Sequence, residues 1–462
     1  MNQILALLET ATPLAAVGGG AVYARERHPR LYWSTVGLPL TVARIRHDWA
    51  ETMEACGLSA EPPMWKVFAA RQGPGTIKPM PPTLRGVSAS TMGLRLRLRL
   101  PRGLATEDMA NAAEGLRHAW QVHAVHVSEV RPGIIELRIT GFDVLRRVVL
   151  PSRATSKSAG VMRVPVALGA DGRVVVRDYR AAPHGLTLGA NQSGKSMYAR
   201  NLFHGLATQD VALVGIDCKQ GVEHAPMGPR LSGLAVDPDS ALDLLRVLVN
   251  EVMTERFDLI RSYLGIPGRV PGSDITVDIW GLPEKIRPVP LVLVIDEVAE
   301  LFLASTAAEK ARCAETITLL IRFAQMARAA GMYLEVMGQR FGSELGKGAT
   351  LLRSQLTNRV VHRVNDVESA KMGLGDVSEQ GVFAATRIAP DLPGMAIVGD
   401  TSGAWQRIRT PYRKLSDTAA VCAATAHLVP DLPALDAFRP VPAVRPAAPE
   451  DAPVYVTDPA PA

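Results

Sequence analysis

The spacing of hydrophobic residues changes along the chain, and each spacing predicts a different element. Between about 164 and 412, short β-branched apolar runs alternate with longer stretches of helical period, and GLTLGA, VALVGID, LVLVID, MYLEVMG and RVVHRV read as strands. Most are apolar throughout, as strands buried on both faces must be, so they predict an α/β fold whose parallel sheet is covered by helices. Residues 83–153 read as strand, helix, strand, strand, a small α/β module. Within it GLRLRLRL alternates leucine and arginine strictly, giving a half-exposed strand with Arg95, Arg97 and Arg99 on one face. Such a row either deters pairing at a sheet edge or meets an anion. TEDMANAAEGLRHAW has helical period, with Thr106 as the cap before Glu107 and Asp108, and VHAVHVSEV and GIIELRIT pair through Arg131-Pro132-Gly133.

The ends of the chain follow other patterns. Two apolar runs, 4–24 and 31–45, precede an expected helix around Asp48 to Cys56 and a Pro/Gly-rich linker. The first run holds Glu9, Pro13 and three consecutive glycines, and the second is shorter than the roughly 20 residues of a spanning helix. They are read as amphipathic or packed segments, with association through the N-terminal segment with a membrane left open. From 428 the chain is so rich in proline and alanine that a disordered tail is expected. Four domains result: 1–82, 83–153, 154–427 and 428–462.

Composition adds little. The 462 residues, 47% of them hydrophobic, suffice for two or three cores, and a net charge of +6 suits an anionic partner or simply solubility. The four cysteines lie far apart with no CxxC spacing, which fits a reducing cytoplasm, and MNQILALLET has no basic stretch typical of a secretory signal.

The chemistry lies in the loop after GLTLGA. GANQSGKS matches G-x-x-x-x-G-K-[ST] and stands between a strand and the helix GKSMYARNLFHGL. Gly189, Ala190, Asn191, Gln192, Ser193, Gly194, Lys195, Ser196 and Met197 form the expected ATP site, with Lys195 on the β- and γ-phosphates and Ser196 on Mg²⁺. LVLVIDE ends in Asp296, a second Mg²⁺ ligand, and Glu297, the expected base for the attacking water. Gln339, ending MYLEVMG, is the candidate contact to the γ-phosphate or the water, with a solvated loop glutamine as the rival reading.

Four stretches in order resemble the FtsK/SpoIIIE family of ring-shaped DNA translocases: PHGLTLGANQSGKS, IDCKQGVE, ALDLLRVLVNEVMTERFDLI and AQMARAAGMYLEVMGQR. LTNRVVHRV resembles the strand that carries a conspicuous arginine in that family, here Arg359. The resemblance covers the whole of 154–427 as a RecA-like P-loop motor, and 83–153 is similar to the module preceding it. It implies a homo-hexamer that threads double-stranded DNA and holds ATP between subunits. Arg359 is then the expected arginine finger, with Arg353 and Arg363 as competitors, and Phe341 to Gln355, with Lys347, Arg353 and the preceding Arg340, is the DNA-contact candidate. Phe341 stands where these relatives usually carry proline, Gln192 where they usually carry glycine, and the Pro/Ala-rich end where they carry a winged-helix reader.

These departures point toward the actinobacterial plasmid and integrative-element transfer subgroup. Two other functions stay open at this stage: a type VII-like protein-export motor, and a DNA-binding scaffold that binds nucleotide with little turnover.

Overall fold

The computed structural model describes residues 23, 25–61, 79–90, 92–150, 160–264, 276–342, 346, 348–400 and 403–440. It divides into two compact units, one comprising 1–148 with 168–174, the other 149–167 with 175–462.

In the first unit, β1 (Thr83–Ala89), β2 (Gly93–Arg99), β3 (Ala124–Arg131) and β4 (Ile134–Thr140) form an antiparallel sheet in the order β1-β2-β4-β3. Alternation along β2 buries Leu94, Leu96 and Leu98 on one face, where they meet Met109, Leu116 and Trp120 of two helices, Thr106–Asn111 and Ala113–Trp120. Thr106 is the first helical residue rather than the cap: Ala105 precedes the helix, and its N–H donates to the Asp108 carboxylate at 2.7 Å. The strand β1 had no strong signal, because its larger apolar residues, Leu84 and Val87, stand three apart across a register shift between Leu84 and Gly86.

The same core takes in Trp33, Ile45, Met53 and Leu58. An expected boundary at residue 82 therefore gives way, since 29–58 completes the apolar face of the small sheet. The helix Trp49–Ala55 lies where the sequence placed it, and the run 31–45 is an amphipathic helical stretch that ends in Leu38–His47. No helix among the described residues is long and apolar enough to cross a membrane; the run 4–24 lies, but for Tyr23, outside them.

The second unit holds a ten-stranded sheet. All five predicted strands are present and adjacent: β7 (His184–Leu188), β8 (Ala212–Ile216), β10 (Leu291–Ile295), β11 (Met332–Gly338) and β12 (Asn358–His362), in the order β12-β7-β11-β10-β8. These pair in parallel, as does β9 (Gly233–Ala235) beyond β8. The sheet is mixed rather than parallel throughout, because β13 (Met395–Gly399) runs antiparallel to β12 and β14 (Trp405–Arg409) antiparallel to β13. Beyond β14 lie β5 (Arg163–Gly169) and β6 (Val174–Asp178).

A disordered tail from 428 is also corrected. Residues 433–438 form a 3-10 turn that buries Leu435 completely, and Phe438 packs on Gly233 of β9. Spaced apolar residues anchor a segment whose proline content suggested extension. Residues 441–462 lie outside the described residues.

Two buried polar devices tie the central strands. Glu335 of β11 pairs with Arg177 of β6 at 2.6 Å, both side chains almost wholly buried, and a Cβ on Gly185 of β7 would stand 2.2 Å from the Glu335 carboxylate. Only glycine fits beside that pair. His184 of β7 accepts the N–H of Leu334 on Nδ1 at 3.1 Å, so the ring carries its proton on Nε2. Burial holds its pKa down at about 3, and His362, also buried, is likewise at about 3.

In an unfolded chain these histidines would titrate near 6.5, so below that pH the unfolded chain takes up protons the fold refuses. The melting temperature should therefore hold above about pH 6.5 and fall as pH is lowered toward 4. His184→Ala, which leaves the Leu334 N–H without its acceptor, should lower stability at pH 7 by about 1–3 kcal/mol in denaturant titration.

Candidate nucleotide site

Parallel strands deliver their carboxyl ends to one edge of a sheet, where ligands bind in open α/β folds. At this edge β7 leads into the loop 189–194, β8 into Asp217-Cys218-Lys219, β10 into Asp296-Glu297, β11 into Gln339 and β12 into Arg363.

The loop is clamped on two sides. Gly189 N–H donates to the Gly338 carbonyl at 3.2 Å and Ala190 N–H to the Arg363 carbonyl at 2.8 Å, while Gly394 N–H donates to the Ser193 carbonyl at 2.9 Å. Arg363 Nη2 adds a bond to the Asn191 carbonyl at 3.0 Å. Gly394 comes so near that a Cβ on Gly194 would lie 2.6 Å from its backbone, and Gly194 also has φ +115°. Gln192 adopts φ 59°, a left-handed conformation that glycine takes without strain. This gives the departure at Gln192 its physical content. Phe341 is fully buried, so it fills core volume where the resembling family carries proline.

The helix Lys195–Ala207 begins directly after this turn. Among the described residues no acceptor takes the N–H groups of Gln192, Gly194, Lys195 or Ser196, and the Ser193 hydroxyl is buried without a partner. Aligned free donors and a helix amino end suit an anion. Lys195 folds over the turn, its Nζ 2.5 Å from the Gly189 carbonyl, and burial holds its pKa below the usual lysine range against the pull of Glu297. Met197 faces elsewhere, its Sδ accepting from Arg413 N–H at 3.1 Å.

Asp296 and Glu297 are buried, each 4% exposed. Gln339 N–H donates to Glu297 Oε1 at 3.1 Å and its amide lies 3.5 Å from Oε2, so the two residues expected to act together are joined. Lys219, to which the sequence assigned no role, places Nζ 3.0 Å from Asp296 Oδ2 and 4.0 Å from Glu297 Oε2. Its pKa is raised: burial opposes the charge, but Asp296, Glu297 and Asp217 together outweigh it. Only its place one residue beyond Asp217-Cys218, at the end of an apolar strand, could have marked it. His362 and Gly394, which pack on the loop, gave no sequence signal at all.

Arg359 stands apart from this group. It is the second residue of β12, opposite Leu186 and away from the carboxyl edge, is 4% exposed, and donates to the carbonyls of Gly373 at 3.3 Å and Arg353 at 2.5 Å. As placed, it straps its own subunit together rather than offering a free cation to a neighbour. Of the expected DNA-contact loop, Lys347 lies outside the described residues, and Arg340 bonds Asp366 at 2.8 Å.

The strand, turn, helix and paired carboxylates form a candidate nucleotide site on a mixed α/β sheet preceded by a small antiparallel module. Comparison with known proteins agrees along the chain: residues 21–141 match the actinomycete conjugal transfer protein N-terminal domain, and 149–343 match the FtsK/SpoIIIE family. Transfer protein TraSA of Streptomyces ambofaciens is 50% identical over 406 residues, 88% of this chain and 97% of its own length. A sporulation regulatory protein of Streptomyces azureus is 56% identical over 270 residues, covering 58% of this chain and 85% of that protein. The solved structure of the pCW3 conjugation coupling protein TcpA shares the fold, with a TM-score of 0.53 at 18% identity over 75% of this chain and 93% of that one. The chain belongs to the TraSA-like family of actinomycete conjugal transfer proteins, which carry an FtsK/SpoIIIE domain.

Two substitutions separate roles at this site. Gln192→Gly relieves a left-handed side-chain position and should leave thermal stability unchanged or raised by up to about 1 kcal/mol. Arg359→Ala should lower the melting temperature measurably, because it leaves buried carbonyls without a donor; an arginine acting only as a finger would instead cost about 10³ to 10⁵ in turnover with no change in melting.

Proposed function

We propose that this chain is an ATP-driven double-stranded DNA translocase that moves plasmid or mobile-element DNA during transfer, working as a homo-hexamer of RecA-like motors. The observation that carries it is the joining of Glu297 to Gln339 beside Lys195 and Asp296 in a chain 50% identical to transfer protein TraSA along nearly its whole length. A scaffold that merely holds nucleotide has no need of a buried carboxylate fixed beside the phosphate loop.

In this reading the free N–H groups of the loop and the amino end of Lys195–Ala207 bind the phosphates of ATP, and Lys195 exchanges the Gly189 carbonyl for phosphate oxygens. Ser196 and Asp296 would hold Mg²⁺, which when bound offsets charge on the phosphate oxygens. Glu297 takes a proton from the attacking water, and Gln339, tethered to it, reports the state of that site. Lys219 ties the two acidic side chains together, its Nζ 3.0 Å from Asp296 and 4.0 Å from Glu297. Arg359 serves as a neighbour's finger only if it leaves the carbonyls it now holds, so Arg353 and Arg363 remain competitors for that role.

Hydrolysis by the purified chain should rise several-fold on adding long duplex DNA, in a coupled-enzyme assay. Lys195→Ala should abolish it, and Glu297→Gln should bind nucleotide while losing at least about 10² in turnover. Stimulation by a secreted peptide and not by duplex would replace this reading with protein export; nucleotide binding with no turnover in either case would leave a scaffold.

A further inference from the structure

The arginine row of β2 has no edge to protect. β2 is hydrogen-bonded to β1 on one side and β4 on the other, so charges that would deter strand pairing have nothing to deter there. The row must answer to something else.

Its geometry is that of an exposed basic face. Arg95, Arg97 and Arg99 alternate with the buried leucines and stand about 7 Å apart, a row about 14 Å long. Arg97 is 64% exposed, and Arg95 and Arg99, also exposed, have no carboxylate partner among the described residues. Across the ladder Arg95 lies opposite Arg138 and Arg97 opposite Glu136, and the turn 168–174 brings Arg173 to 3.4 Å from Glu136 and Asp171 to 4.0 Å from Arg138. Five arginines thus meet two carboxylates on this face, leaving three positive charges uncompensated. His126 adds none, since burial holds its pKa below the usual value.

The neighbours of the row point to the kind of polyanion. On β1 the residues opposite Arg99, Arg97 and Arg95 are Thr83, Gly86 and Ser88, which are small and let a wide rod lie close to the guanidinium groups. A face that enters a lipid surface sets large apolar side chains among its basic ones, and β1 supplies none beside this row. The row also spans the rise of about four successive phosphates along one DNA strand, and arginine bonds phosphate without reading sequence.

We infer that the Arg95-Arg97-Arg99 face of the small sheet is a second, sequence-blind binding surface for the phosphate backbone of duplex DNA, separate from the motor's own loops. This rests on DNA being the cargo.

The test uses the full chain, a fluorescently labelled duplex, and anisotropy over a series of salt concentrations. The R95Q/R97Q/R99Q variant should bind more weakly by tenfold or more, and its slope of log affinity against log salt should be shallower by about 2 to 3, one counterion step per lost arginine. The R95K/R97K/R99K variant should keep most of the slope, hydrolysis without DNA should match wild type, and thermal unfolding should confirm that all variants are folded. An unchanged slope in the glutamine variant, with wild type binding duplex, overturns this surface and leaves the motor reading intact. Wild type that neither binds duplex nor is stimulated by it overturns both. Glutamine variants that keep duplex binding but lose binding to phosphatidylserine vesicles would make the face a membrane contact instead, and overturn the inference.

Discussion

After β7 the backbone must turn within a few residues and start a helix, with a strand on either side of it in the sheet. That turn is possible because its neighbours supply the missing partners: the Gly338 and Arg363 carbonyls accept its first two N–H groups, and Gly394 donates to Ser193 as it leaves. These bonds come from β11, β12 and the turn before β13, three elements separated widely in sequence. The phosphate loop is therefore a product of the assembled sheet and not of the motif alone. Its remaining donors are left aimed outward because the inward ones are already used.

Charge is kept inside the sheet by pairing. Arg177 and Glu335 meet where both are lost to water, and isolated burial of either would cost several kcal/mol. The same logic operates at the edge, where Lys219 lies against Asp296 and Glu297. There one ammonium group offsets the cost of burying two neighbouring acidic side chains.

Much of this was legible in the sequence, for identifiable reasons. The five central strands are buried on both faces and mostly apolar, so their signal does not depend on knowing which face is which. The nucleotide loop and Asp296-Glu297 follow such strands directly. By contrast β5, β6 and β14, which lie beyond β13 on the far side of the sheet, carry polar positions, as in WQRIR, whose pattern is indistinct without the partner strand. The surroundings of Arg359 were not legible because burial is not written in a residue's type: a conspicuous arginine in a resembling strand looks the same whether it faces a neighbour or the carbonyls of Gly373 and Arg353. The N-terminal helices looked separate for a related reason, since a proline-rich linker implies a boundary even where Trp33 and Met53 cross it to share a core.

The turn at 433–438 has one further consequence. It rests on β9, the last strand at its side of the sheet, and Phe438 lies over Gly233, a position too small to defend itself. Strand side chains point out of the sheet plane, so Phe438 and Leu244 together roof the face of that last strand where glycine leaves a hollow. Trimming the chain before 433 would thus uncover apolar surface at the margin of the sheet and invite aggregation.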